Sequence, residues 1–391
     1  MDSDPGARHH GAVPLAADHL TTAARNAWAI SPLGPGIEQY DGLPATVLSD
    51  EPHQRLTRFD RTSPATARRP VLLVPPLAVS ARCFDLRPGQ SLAAHLVGSG
   101  RATYLLDYGR ISFADRAMGF EAWIDQILPT AIHAVLADHG EGDGTDGVDG
   151  VDGVDLVGWS LGGTISLLTA AAHPDLPISS LTAFGTPIDY SRVPAVRPLI
   201  AADRLLGSRA VTVPTAALGG VPRHLVRASY RAMAPKRELT KAVHLARNIL
   251  DVEALARTSA IDAFIAAMPG YPGRAYHQIH TRLMARNELA NGVVHLGRGR
   301  EVRLADIRTR VLLVGSATDN IANGPAVEAG TDVVPGAQYA AADGLSHLGL
   351  VAGPKAADVS WPHLDRFLTA ARSAPSVADA TADPAPVAVT S

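Results

Sequence analysis

From residue 69 to 189, and again from 301 to 371, short β-branched or apolar runs alternate with stretches of helical spacing. Val71–Val74 is the first strand candidate, stopped by Pro75 and Pro76. Ala102–Asp107, Val154–Trp159, Ser180–Phe184, Arg310–Gly315 and Ala337–Ala342 follow as further strands. Between them, Phe120, Trp123, Ile124, Ile127, Leu128, Ile132, Val135 and Leu136 recur at helical intervals, predicting a helix over Phe120–Asp138. Pro129 lies inside it and is expected to kink it. Leu161–Ala172 is an apolar helix, and Asp358–Ala371 a closing one. Strand–helix alternation of this kind predicts an α/β fold, with a mostly parallel central sheet and helices on both faces.

The rhythm fails in three places. Residues 1–68 are broken by Pro32, Pro35, Pro44, Pro52 and Pro64 and read as an extension, partly helical, with one helix over Asp18–Ile30. Its Leu20, Ala24, Ala27 and Trp28 share a side. Residues 190–300 are helix-rich and proline-punctuated, and they fall between two sheet strands, so they read as an inserted helical cap or lid. That divides the core into residues 69–189 and 301–371. Residues 372–391, rich in Ala, Pro and Ser, read as a disordered tail. A short VDG repeat over Glu141–Gly153 reads as an expanded, flexible loop, because the twelve-residue calcium pattern ending in glutamate is missing.

Composition narrows the function. Of the 391 residues, 46% are apolar and 19% charged, with a net charge of −3. This is a globular balance. The single cysteine, Cys83, rules out an intramolecular disulfide framework and a Cys-based zinc cluster. No apolar run reaches membrane-spanning length, and the N-terminus lacks a basic-then-apolar leader, so a cytoplasmic protein is expected. No phosphate-loop or dinucleotide fingerprint appears, and no cofactor, metal or nucleic-acid partner is expected. Charge is distributed unevenly: Arg192–Arg300 holds 17 Lys/Arg against 6 Asp/Glu, leaving 18 against 32 elsewhere. A cap of net +11 on a body of net −14 could attract an anionic head group, the phosphates of an acyl-CoA, or an anionic lipid surface.

The chemistry centres on Gly158-Trp159-Ser160-Leu161-Gly162, a G-x-S-x-G motif directly after a strand and directly before a helix. Such a turn exposes a strained serine above the sheet, and small flanking residues let strand and helix approach. The positive end of the helix favours developing oxyanion charge. A serine needs a base, and the base an orienting acid. Asp319 follows the strand Arg310–Gly315, and His347 follows the strand near residue 340, giving the order Ser160, Asp319, His347. Asp189, after Ser180–Phe184, is the alternative acid, and His363 a weaker base candidate. The oxyanion donors are expected to be the backbone N–H groups of Leu161 and, because Pro75 and Pro76 have none, Leu77. Cys83 has no elbow around it and reads as a buried structural thiol. These features together define an α/β-hydrolase with an inserted lid.

Several segments resemble the polyhydroxyalkanoate synthases. Pro75-Pro76, Asp85-Leu86-Arg87-Pro88 and Ser91-Leu92 match a P-P and D-L-R-P-x-x-S-L stretch of that family. Residues 287–307 resemble its N-x-L-x-x-G segment, residues 318–321 its aspartate motif and residues 346–350 its histidine motif. The resemblance covers roughly residues 65–370 and implies acyl transfer from CoA thioesters at a triad matching Ser160, Asp319 and His347. The chain departs from it in three positions: Ser160 replaces the nucleophilic cysteine, Asn320 a histidine, and Ser346 a glycine. Serine forms an oxygen ester, and serine-bearing relatives resemble lipases or esterases. The expectation is therefore a serine hydrolase of lipid or polyester acyl esters. An acyltransferase or synthase-like enzyme using acyl-CoA is the alternative, and a non-catalytic scaffold on a granule or membrane is the second. A lipid or polyester surface and self-association are the further partners considered.

Overall fold

The computed structural model describes residues 13–31, 33–38, 40–60, 69–142, 153–207, 209–233 and 235–370. The calcium-like repeat and the C-terminal tail expected from the sequence fall mostly or wholly outside these residues.

Eight strands form the central sheet: β1 (Ala45–Glu51), β2 (Gln54–Phe59), β3 (Val71–Val74), β4 (Thr103–Asp107), β5 (Val154–Trp159), β6 (Ile178–Phe184), β7 (Arg310–Gly315) and β8 (Gln338–Ala341). Their spatial order is β1-β2-β4-β3-β5-β6-β7-β8. The last six are mutually parallel, and β1 and β2 join antiparallel at one edge. Side chains on the parallel strands divide between two cores. On β3, Leu72 and Val74 enter one core while Val71 and Leu73 enter the other. Burial on both faces explains why β3 is apolar throughout and why apolar residues predominate in the central strands, with polar ones such as Asp155, Ser180 and Thr182 buried among them.

One core is covered by α3 (residues 120–142) and α4 (Leu161–Ala172), the other by α2 (Leu92–Gly98) and the C-terminal helix Trp361–Thr369. The expected kink in α3 takes the form of a π-turn over Trp123–Ile127, where the Leu128 N–H reaches back to the Trp123 carbonyl. Pro129 follows at once. It has no N–H to continue the regular ladder, and a widened turn absorbs that loss.

Among the described N-terminal residues, helix and strand are both present. α1 is a helix over Val13–Ala29. β1 and β2 then form a hairpin with His53 at φ 60° in its turn. Residues 45–59 thus belong to the main sheet, which corrects their reading as part of a partly helical extension. An exposed edge hairpin has no apolar run to announce it.

The region between β6 and β7 divides. Helices α5 (Arg197–Leu206), α6 (Arg209–Ala217), α7 (Arg223–Ala232), α8 (Pro235–Arg247) and α9 (Val252–Ala266) build a cap. Beyond them, Ala275, Ile279, Leu283, Leu289, Val294 and Leu296 join the same core as α3 and α4. α1 braces the cap: the Asn26 side chain donates to the Ile249 carbonyl at 2.8 Å. Among the described residues, no helix is long and apolar enough to cross a membrane.

Candidate active site

The carboxyl ends of β3, β5, β7 and β8 carry the residues that the sequence singles out. Between β5 and α4 the chain reverses through Ser160, at φ 53° and ψ −123°. Few residues with a Cβ adopt such a conformation, and it holds here because both sides are fixed. Ser160 N–H donates to the Phe184 carbonyl at 2.8 Å, and the Thr186 hydroxyl donates to the Ser160 carbonyl at 2.9 Å. The glycines make the close approach feasible. A Cβ on Gly158 would lie 2.6 Å from Gly163, and one on Gly162 would lie 2.1 Å from the Val74 carbonyl oxygen. The second contact presses the start of α4 against the loop after β3, the loop that holds Leu77.

Leu77 and Leu161 are both buried. Among the described residues, neither backbone N–H has a hydrogen-bond acceptor. Leu161 opens α4 and its amide is one of the orphan donors of a helix start. The two amides therefore flank the elbow as free donors.

Asp319 and His347 form a pair. His347 Nδ1 lies 2.7 Å from Asp319 Oδ2. Asp319 Oδ1 accepts from the N–H groups of Ile321 and Ala322 at 2.7 and 3.0 Å. The carboxylate is only 2% exposed and so is fixed on both oxygens. An ionised carboxylate only accepts, so the Nδ1 proton belongs on His347 and its Nε2 is left with a lone pair. Trp159 holds the imidazole from the side: its indole N–H donates to the His347 carbonyl at 3.1 Å, and the rings stand 5.0 Å apart. Gly185 borders the other side, where a Cβ would come within 3.2 Å of the imidazole. A direct hydrogen bond between Ser160 Oγ and His347 is not formed in this structure. Such bonds often tighten only around substrate.

Asp189 is engaged elsewhere. Its carboxylate accepts from the Ser191 amide and hydroxyl and from the Asn287 side chain, and it pairs with Arg192 at 2.8 Å. Burial works to raise its pKa, yet the bonds from Ser191 and Asn287 outweigh it and leave the carboxyl below its usual range. It caps the turn Tyr190–Arg192 and orients no imidazole. His363 lies in the C-terminal helix, bonded to Arg366. Cys83 is fully buried, and desolvation pushes its thiol well above the usual range, so it is no thiolate nucleophile.

The cap adds residues that sequence reasoning missed. Phe264 of α9 packs 6.5 Å from the Trp159 ring, and Tyr230 of α7 packs edge-on against Phe264 at 6.4 Å. Burial raises the Tyr230 pKa, with the Asp319 charge adding to it. Beside His347 lies a cavity of about 280 Å³ lined by Tyr230, Met233, Ile261, Ile265, Ile321 and Leu348, with Arg231 and Arg237 among the polar residues bordering it. Trp159 was visible inside the serine motif, but Tyr230 and Phe264 had no local signal because only the folding-over of the cap brings them here.

No family model matches the chain. Its relatives are more informative. It is 26% identical over 353 residues to the poly(3-hydroxyalkanoate) polymerase subunit PhaC of Allochromatium vinosum, covering 86% of this chain and 93% of that one. It is 22% identical to the PhaC of Haloferax mediterranei, covering 88% of this chain and 66% of the other. Among solved structures, a putative non-heme bromoperoxidase BpoC from Mycobacterium tuberculosis H37Rv superposes with a TM-score of 0.45 and 16% identity, over 85% of this chain and 100% of that one. The sheet order, the crossover helices and the serine elbow define an α/β-hydrolase. Within that class, the curated relatives to which the chain is similar are poly(3-hydroxyalkanoate) polymerase subunits.

Proposed function

We propose that the protein is an acyltransferase that takes an acyl group from a CoA thioester onto Ser160 and passes it to an alcohol, the hydroxyacyl chemistry of its PhaC relatives. The observation that carries the reading is the buried pair of His347 Nδ1 and Asp319 Oδ2 at 2.7 Å, with His347 bonded to Trp159, the residue before the strained Ser160. His347 Nε2 takes the Ser160 proton as Oγ attacks the thioester carbonyl. The tetrahedral oxyanion is held by the N–H groups of Leu77 and Leu161. Collapse breaks the C–S bond, and His347 returns the proton to the departing thiol. An acceptor hydroxyl then gives its proton to His347, attacks the acyl-serine, and leaves as an ester while Ser160 is regenerated. The sequence alone ranked ester hydrolysis first; relatedness to PhaC favours transfer over it.

Hydrolysis stands as the second reading on one observation, the serine where the synthases carry cysteine. Water then replaces the alcohol, with the same residues. The buried, intact Asp319–His347 pair favours either enzyme over a scaffold. An acyl-CoA donor fits a cytoplasmic reaction, at the surface of a lipid or polyester body where the product is insoluble. The deciding measurement follows one 3-hydroxyacyl-CoA by mass spectrometry. Expected are free CoA, an acyl adduct on Ser160, and esters of two or more hydroxyacyl units. Free hydroxy acid as the sole acyl product would establish hydrolysis instead, and the absence of any Ser160 adduct from thioesters or simple esters would remove both.

A further inference from the structure

A second concavity opens on the cap away from His347. It has a volume of about 390 Å³ and lies between the loop after β4, the start of α7 and the segment after α9. We infer that it binds the phosphate groups of the acyl donor, an inference that rests on the acyl-CoA reading above. Arg110 comes from the β4 loop, and Arg223, His224 and Arg227 from the first turns of α7; no acidic residue lines the space. Among the described residues, none of these four side chains has an ion-pair or hydrogen-bond partner. The Arg227 Nε is itself buried and unpaired. A buried donor without an acceptor is costly, and three guanidinium groups facing one cavity repel each other. An anion in that space relieves both.

The local backbone points the same way. α7 begins after Pro222 with no side-chain cap and no acidic residue in its first turn. Basic residues stand where the helix dipole is already positive, which disfavours the arrangement unless a negative group is present.

Position fixes which anion. α7 reaches from this cavity, at residues 223–227, to the apolar cavity that His347 borders, at Tyr230 and Arg231. Seven residues of helix span about 10 Å. α9 ends in the same way, with Ile265 at the apolar cavity and Ala267 and Met268 at the basic one. Two sites at that spacing, one apolar and one basic, suit a donor whose flexible pantetheine arm separates its acyl end from its diphosphate.

The test is the preference for acyl-CoA over the same acyl group on N-acetylcysteamine, a thioester without phosphate, measured as a ratio of kcat/KM. In Arg223→Ala/Arg227→Ala the ratio is expected to fall on the order of tenfold through KM for acyl-CoA, and Lys at both positions to restore part of it. Circular dichroism reports whether the double variant is folded; Val226, the buried residue of this turn, is left in place. A ratio that stays at the wild-type value while both donors acylate Ser160 overturns the site and leaves the acyl-transfer reading intact. Failure of both donors in the wild type removes that reading, and the site with it. An unchanged ratio with lost binding to phosphatidylglycerol vesicles assigns the cavity to a lipid head group and also overturns the proposal.

Discussion

Ser160 is held in a conformation that costs about 1–3 kcal/mol in backbone strain, and the bonds from Thr186 and to Phe184 keep it there. Ser160→Ala is expected to reduce acyl-enzyme formation by at least about 10³-fold with an unchanged melting temperature, read by intact-mass spectrometry and by loss of fluorophosphonate labelling. Asp319→Asn tests the orientation of the imidazole. An amide in that place can present its N–H to Nδ1 and favour the wrong tautomer, so kcat is expected to fall by about 10⁴-fold while donor affinity changes little. A variant of Asp189 that matched this loss would transfer the role. These residues were legible in the sequence because a strained elbow needs a fixed local pattern and the chain order of acid and base follows from the sheet. Tyr230, Phe264 and the cation cluster on α7 were not legible. Their roles arise from contacts across long stretches of chain, which leave no spacing to read.

At the level of elements, the buried parallel strands and α4 were recoverable from apolar runs, while β1 and β2 were hidden by edge polarity. What joins the cap to the core was hidden too. Arg87 is 5% exposed and bonds Glu38 at 2.9 Å, Gln90 at 3.1 Å and both oxygens of Glu253 at 2.6 and 2.7 Å. It therefore ties the N-terminal segment and the first turn of α9 to the core. Removing it strands two carboxylates, but Glu253 is largely exposed and screened, so Arg87→Ala is expected to cost about 1–3 kcal/mol in thermal or urea unfolding. The Arg87 bond lowers the Glu253 pKa from 4.5 to about 2. A carboxyl lowered in the folded state contributes fully above its unfolded pKa and loses that contribution as pH falls through its folded one. Cleavage of the cap by an acid-active protease should therefore accelerate as pH drops from about 4.5 towards 2, and Glu253→Gln should cleave quickly at pH 6 as well. Equal cleavage of wild type and variant at both pH values would show that this tether does not hold the cap. The elbow gives a companion test. Gly158→Ala sets a methyl 2.6 Å from Gly163 backbone atoms, and an overpacked contact of this kind is expected to destabilise by about 1–3 kcal/mol.

Across the whole molecule, charge is segregated: residues 192–300 carry 17 Lys/Arg against 6 Asp/Glu, and the rest is acidic. Several of these cations are paired within the segment, as with Arg237 and Lys241 on Asp262 and Arg282 on Glu288. The unpaired remainder includes the cations on α7, so the long-range field and the proposed phosphate site reinforce each other at one place. The field acts over the Debye length, about 10 Å at 0.1 M salt, and raises capture of anionic ligands. The kcat/KM for acyl-CoA is therefore expected to fall on the order of tenfold between low and high ionic strength, while that for the uncharged N-acetylcysteamine thioester stays nearly flat. In Arg223→Ala/Arg227→Ala the acyl-CoA slope should shrink towards that of the neutral donor. If the wild type shows equal salt dependence with both thioesters, the basic cap is a solvated surface and donor capture depends on the apolar cavity beside His347 alone.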